Sequence, residues 1–194
     1  MQRRSRSILA LLSLPIAATL VFGVGAAMRT DTPQESPLTL EASLSNRTLT
    51  LRKYGEVVKV YNVAVGSAAH PTPTGSYGIR KVVWNPPWIP PDAKWAEGKT
   101  PKGPGERGNP MKTVKIFFQE PDYYIHGTDE ASSIGEAASH GCLRMNPGDA
   151  AEVALQVMDN GGVTRDLDWV KGILHLGTTQ TVSLNLAAPL TITD

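Results

Sequence analysis

The chain has 194 residues, of which 41% are hydrophobic and 19% charged, enough apolar content for one folded domain; this composition excludes a wholly disordered chain. The formal net charge of +1 predicts no basic surface for binding nucleic acid. A single cysteine, Cys142, excludes an intrachain disulfide and any site built from several cysteines of this chain.

The first 27 residues have the pattern of a targeting segment. Arg3, Arg4 and Arg6 precede an apolar stretch without charge over residues 8–27. This pattern is typical of a secretory signal, and its length also suits an uncleaved membrane anchor. In either case we expect the rest of the chain in the periplasm or cell envelope, with membrane contact only through an uncleaved segment. Residues 28–37 are polar and predict a linker.

Short strands are predicted from residue 38 onward. Apolar and polar residues alternate over 38–42 and 49–51, residues 54–56 form a turn, and β-branched residues follow over 57–65. Further strands are predicted over 77–84, 113–118, 123–126, 181–186 and 190–192.

A long loop and two helices complete the prediction. Residues 85–110 are rich in Pro, Gly and Trp, and a loop of this length in a compact domain is usually functional, so we expect a lid. Asn146 and Pro147 predict the start of a helix that ends at residues 160–162. A second short helix is predicted over 166–174. The chain is therefore predicted to be mainly β, with one helix after the cysteine and a long Pro/Trp-rich loop.

No cofactor is expected. Residues 103–108 match the G-x-G-x-x-G spacing of a dinucleotide-binding loop. That motif requires a strand before it and a helix after it, and this segment has neither in the prediction.

Two short motifs carry the residues suited to chemistry. Residues 124–128 read YIHGT, and residues 139–145 read SHGCLRM. A free thiol is mostly protonated at neutral pH, and a nearby imidazole such as His126 takes its proton and holds the thiolate as an ion pair. Gly141 permits an unusual backbone angle, and consecutive N–H groups at such a turn form an oxyanion hole. Spacing alone leaves open a nucleophilic Cys142 and a buried, inert Cys142.

The order of these motifs resembles the L,D-transpeptidase (YkuD-like) catalytic domain of bacterial cell-wall enzymes. The resemblance extends to Ile134 and Gly135, to PTPTG at residues 71–75, and to the segments at 84–88 and 105–110. It covers roughly residues 38–160 and implies a β-sandwich-like catalytic fold. Residues 161–194 match less clearly and are expected to form a C-terminal extension packed on the domain.

The resemblance implies a role for each motif residue. Cys142 is the nucleophile, His126 is the base, and the carbonyl group of Gly127 orients the imidazole. Purely structural roles stay open for the serine, the second histidine and the arginine of the cysteine motif. The residues expected to bind substrate are Arg144, His140, Ser139, Gly141, Trp84 and Trp88. The tryptophans and prolines of residues 84–95 are expected to cap the bound peptide as a lid.

The implied activity is acyl transfer between peptidoglycan stem peptides. Cys142 attacks the third residue of a tetrapeptide stem, releases the terminal D-Ala, and passes the acyl group to an amine. The acceptor is another stem peptide, a D-amino acid or a wall-linked lipoprotein, and water as acceptor makes an L,D-carboxypeptidase. Two other classes stay open: a zinc hydrolase using His126, His140 and Cys142, and a non-catalytic peptidoglycan-binding protein.

Overall fold

Ten strands and two α-helices make up residues 37–194, the part of the chain that the computed structural model describes. The predicted targeting segment, and all of the predicted linker except its last residue, lie outside the described residues. The mainly-β prediction is confirmed. The elements are β1 (Leu38–Ser43), β2 (Thr48–Lys53), β3 (Glu56–Asn62), β4 (Val65–Gly66), β5 (Gly75–Trp84), β6 (Val114–Gln119), β7 (Tyr123–Gly127), β8 (Ala137–Ser139), β9 (Leu143–Met145), α1 (Pro147–Asn160), α2 (Leu167–Leu176) and β10 (Gln180–Thr193).

Eight of these strands form one sheet in the order β3-β2-β1-β10-β5-β6-β7-β9, and β4 pairs with β8 in a second, small sheet. Neighbours in the large sheet are antiparallel except for the parallel pairs β1–β10 and β7–β9. No helix within residues 37–194 is both long and apolar enough to cross a lipid bilayer.

The end of the chain differs from the sequence prediction. The strands expected over 181–186 and 190–192 are one strand, β10, whose register shifts between Ser183 and Ala188. The apolar residues keep their alternation through the whole strand, but the segment 187–189 (Ala, Ala, Pro) has low strand propensity, which is why the sequence suggests two strands. Because β10 lies between β1 and β5, residues 161–194 supply an interior strand of the sheet and are not an added outer layer.

Helix α1 covers the sheet next to the cysteine motif. The Asn146 side chain accepts a hydrogen bond from the Gly148 N–H (2.9 Å), and Pro147 occupies the first helical position, as predicted. The apolar stripe of α1 packs on β6, β7 and β10. Burying each large apolar side chain contributes about 1.5–3 kcal/mol, so this packing stabilises the position of β7, the strand that carries His126.

Helix α2 confirms the second predicted helix. The Asp166 side chain accepts a hydrogen bond from the Trp169 N–H (2.8 Å) at its start, and Gly177 ends it in the left-handed conformation.

Candidate active site

The two sequence motifs meet on one face of the sheet. Strand β7 lies between β6 and β9, and His126 is directly opposite Lys115 on one side and Arg144 on the other. Residues directly opposite one another on paired strands share a face of the sheet. The other face of the same strands carries apolar side chains such as Ile116 and Ile125, which are fully buried in the core. Packing on that face therefore fixes which way His126 and Arg144 project.

The imidazole of His126 is held in one tautomer. Its side chain is 3% exposed, and Nδ1 lies 2.7 Å from the carbonyl oxygen of Gly127. A carbonyl oxygen only accepts hydrogen bonds, so Nδ1 carries the hydrogen and Nε2 of the neutral ring keeps its lone pair. A side chain at Gly127 would be crowded, because a Cβ there would lie 3.0 Å from Cα of Pro147.

Burial keeps this imidazole neutral. It lowers the pKa of His126 from 6.5 to about 4, and the positive charges of Arg144 and Lys115 act in the same direction. The carbonyl oxygens of Gly127 and Pro110 oppose the shift without reversing it. At neutral pH the ring is therefore a free base.

The Cys142 thiol is half-buried and protonated at rest. Its Sγ–H donates to the carbonyl oxygen of Asp122 (3.4 Å). Burial raises the pKa of Cys142 to about 11, although the backbone N–H of Tyr124 and the charges of Lys115 and Arg144 favour the thiolate. A pKa of about 11 leaves about one thiol in ten thousand ionised at pH 7.

The expected thiolate–imidazolium ion pair is absent from this conformation. Among residues 37–194, the hydrogen bond of the thiol goes to Asp122 and not to His126. Both groups are neutral near pH 7, so the proton must move while the sulfur attacks, with His126 acting as general base.

The turn before the cysteine is held by one hydroxyl group. Ser139 is 1% exposed; its Oγ donates to the carbonyl oxygen of Cys142 (2.6 Å) and accepts from the N–H of Gly141 (3.0 Å). This geometry supports a turn-shaping role for Ser139, and its prediction as a substrate-binding residue stays a prediction. The Gly141 amide, predicted to serve the oxyanion hole, is engaged by Ser139 in this conformation.

Gly141 is required at its position. Its φ is +105°, and a Cβ there would lie 2.7 Å from the Tyr123 ring. A side chain would therefore meet both backbone strain and a collision with the ring.

Arg144 has an internal partner. Its Nη1 forms an ion pair with Glu130 (2.7 Å), while the Arg144 backbone exchanges two hydrogen bonds with Ala64. A guanidinium has five N–H donors, so one ion pair leaves donors for a carboxylate ligand.

Trp95 is the loop tryptophan that reaches the motif. Its ring stacks on that of His140 at 3.9 Å and 19°, and the His140 ring also lies 4.8 Å from that of His70. His140 itself is exposed. Nothing in the sequence distinguishes Trp95 from the other tryptophans as the one that contacts the motif.

The predictions for the other two tryptophans need correction. Trp84 is fully buried; its Nε1–H donates to Sδ of Met158 (3.0 Å), and its ring meets that of Trp169 edge-on. In this conformation its ring presents no surface to a ligand, unlike the predicted substrate-binding position. The apolar run Val82, Val83 and Trp84 at the end of β5 is the signal in the sequence that indicates a core position. Trp88 is 9% exposed and lies inside the loop, where its backbone pairs with that of Lys102, so it presents little surface to a ligand.

No group of three or more His, Cys, Asp or Glu side chains within residues 37–194 is arranged to hold a metal ion. His126, His140 and Cys142 therefore do not form the ligand set that the zinc alternative requires.

A thiol and a buried neutral imidazole on one sheet face are suited to acyl transfer through a cysteine nucleophile. The family model of the L,D-transpeptidase catalytic domain, YkuD, matches residues 37–179. The chain belongs to this family.

Two Bacillus proteins, both named as L,D-transpeptidase YkuD, are similar in sequence. The protein of Bacillus licheniformis is 33% identical over 129 residues, and that of Bacillus subtilis is 32% identical over 129 residues. Each match covers 66% of this chain and 65% of the relative, so the chain spans just under two thirds of the length of these relatives.

Solved structures share the fold. An L,D-transpeptidase from Mycobacterium smegmatis has a TM-score of 0.52 at 17% identity, covering 81% of this chain and 59% of that one. L,D-transpeptidase 3 from Mycobacterium tuberculosis, in complex with a faropenem-derived adduct, has a TM-score of 0.51 at 18% identity, covering 81% of this chain and 60% of that one. At these identities the similarity is one of fold.

Proposed function

We propose that this protein is a peptidoglycan L,D-transpeptidase in which Cys142 carries the acyl group. The observation that supports this most directly is the neutral His126 imidazole, oriented by the Gly127 carbonyl oxygen on the sheet face that it shares with the cysteine motif. Family membership supports peptidoglycan stem peptides as the substrate class, and the donor proposed is a tetrapeptide stem.

The reaction has two half-steps. In the first, Nε2 of His126 takes the thiol proton as the Cys142 sulfur attacks the carbonyl carbon of the third stem residue. The bond to the terminal D-Ala breaks, its amine takes the proton from His126, and a thioester remains. In the second, an acceptor amine attacks the thioester, His126 receives the amine proton and returns it to the departing sulfur, and a new amide forms.

The charges around the sulfur favour the attack. Lys115 and Arg144 both stabilise negative charge at Cys142. Arg144 also has donors for a carboxylate of the stem peptide, as bidentate recognition requires. The neutral resting state protects the thiol from reacting before a substrate is bound, because the thiolate is the reactive form.

The proposal also covers the acceptor of the acyl group and the cellular location of the protein. A stem-peptide amine, a D-amino acid or the lysine of a wall-linked lipoprotein are the acceptors proposed, and water makes the same site an L,D-carboxypeptidase. Stacking of Trp95 on His140 supports a loop that covers the site and limits access of water. The basic and apolar start of the chain supports a periplasmic or envelope location.

The test uses a purified tetrapeptide stem fragment, with D-Ala release and intact protein mass as readouts. The parent protein is expected to release D-Ala and to gain the mass of the tripeptide acyl group, whereas Cys142→Ala does neither. His126→Ala is expected to lose acylation by about 10²–10⁴-fold. His175→Ala, which removes an exposed histidine of α2, is the matched control and keeps the parent rate.

Acylation that persists in Cys142→Ala, or a folded parent protein that releases no D-Ala, contradicts the proposal. Chromatography of the products separates the two reaction types, since a cross-linked dimer requires an amine acceptor and a free tripeptide requires water.

A further inference from the structure

Lys115 is a cation on the site face that neither sequence motif contains. It lies directly opposite His126 on strand β6, is half-buried, and its Nζ lies 4.6 Å from the centroid of the Tyr124 ring. The ion pairs formed within residues 37–194 include no carboxylate partner for it. A half-buried ammonium group without an anion is costly, so its position needs a compensating interaction.

Tyr124 connects this lysine to the cysteine. Its ring meets Phe117 (5.1 Å) and His126 (5.5 Å) edge-on, which fixes its orientation on the sheet. Its hydroxyl and its backbone N–H both interact with the Cys142 thiol and favour the thiolate. The ammonium of Lys115 on β6 is thus in contact with the Tyr124 ring on β7, and both groups favour negative charge at the sulfur in the turn before β9.

The other charged and titratable groups around the sulfur do not replace this lysine. From the turn between β6 and β7, Asp122 offers its carbonyl oxygen, and from β7 the imidazole of His126 is neutral. From β9, Arg144 is already paired with Glu130. Lys115 is thus the cation facing Cys142 whose charge no acid of the described residues neutralises.

We propose that Lys115 is a positioning residue of the active site: its ammonium group is the counter-charge of the Cys142 thiolate, and it holds the Tyr124 ring with the hydroxyl towards the sulfur. The direction of the mutual effects agrees with this. Burial lowers the pKa of Lys115, and the negative charge of Cys142 opposes that lowering. The use of this thiolate as a nucleophile rests on the proposed acyl transfer. The effect of the Lys115 charge on the pKa of the thiol is present without any substrate.

The test measures how fast iodoacetamide alkylates Cys142 between pH 7 and pH 11. The chain has one cysteine, so the modification reports this thiol alone. Lys115→Met keeps the length of the side chain and removes its charge. Loss of one nearby opposite charge is expected to raise the thiol pKa by about one unit, which slows alkylation about tenfold at pH 8. Lys115→Arg restores the charge and is expected to stay within about twofold of the parent rate.

Lys81→Met is the matched control. Lys81 lies on the neighbouring strand β5 with its Nζ 4.7 Å over the Phe117 ring, but it is already paired with Glu120. Its removal is expected to leave alkylation unchanged. Urea unfolding of every variant checks the fold, and Lys115→Gln provides a second neutral variant if the Met variant does not fold.

The inference is overturned if the neutral variants alkylate at the parent rate at every pH, or if Lys81→Met slows the reaction equally. Tetrapeptide turnover separates this inference from the proposed function. Parent protein that releases no D-Ala while Lys115→Met still slows alkylation contradicts the function alone. Turnover together with unchanged alkylation contradicts the role of Lys115 alone.

Discussion

Replacing His126 by Asn is expected to reduce the loss of stability that the protein suffers in acid. The buried imidazole of the folded state has its pKa lowered to about 4, whereas the exposed imidazole of the unfolded chain keeps about 6.5. Between these values the unfolded chain binds more protons, so acid favours unfolding. The stability contribution of the neutral ring is complete above pH 6.5 and is lost as the pH falls towards 4.

The size of the effect follows from the shift. A shift from 6.5 to about 4 corresponds to about 3 kcal/mol in the free energy of unfolding, of which about 2.5 kcal/mol is lost between pH 7 and pH 4.5. The Asn side chain cannot take up this proton, and its amide is able to donate to the Gly127 carbonyl oxygen as Nδ1 does.

Urea unfolding at several pH values between 7 and 4.5 measures the difference. The parent protein is expected to lose about 2.5 kcal/mol more than His126→Asn over this range. All carboxylates are common to the two proteins and cancel in the comparison. Equal losses in both proteins would refute the conclusion that burial holds His126 neutral.

Three further substitutions test the assignment of side chains to core, loop and turn. Trp84→Ala is expected to lower the free energy of unfolding by about 3–5 kcal/mol in urea, because it leaves a cavity in the core, and a loss below 1 kcal/mol would contradict its burial. Trp95→Ala removes a half-buried ring and is expected to cost less than about 1 kcal/mol in the same assay, so equal losses at both positions would contradict this distinction. Gly141→Ala is expected to cost about 1–3 kcal/mol and to abolish D-Ala release, since its Cβ would collide with the Tyr123 ring. Gly172→Ala, in α2 with open space around its Cβ, is the matched control, and retained D-Ala release in Gly141→Ala would contradict the steric argument.

Local patterns accounted for much of the fold and for the chemistry-bearing residues. Strand alternation and the Asn146 cap predicted most strands and the start of α1, because these signals depend on neighbouring residues. The same patterns missed that β10 is a single strand, because pairing with β1 and β5 keeps its weak middle segment extended.

The sequence alone determined His126 and Cys142 as the candidate base and nucleophile, because the order of their motifs resembles that of a known family, whereas their spacing by itself left an inert cysteine open. Only the tertiary structure decided their protonation. Burial among segments distant in sequence makes both groups neutral at rest. The charges brought from β6 and β9 add to this effect at His126 and oppose it at Cys142. It also decided that Trp95 rather than Trp84 contacts the motif, and that Lys115 lies beside the thiol, because distance in space depends on how the strands pair.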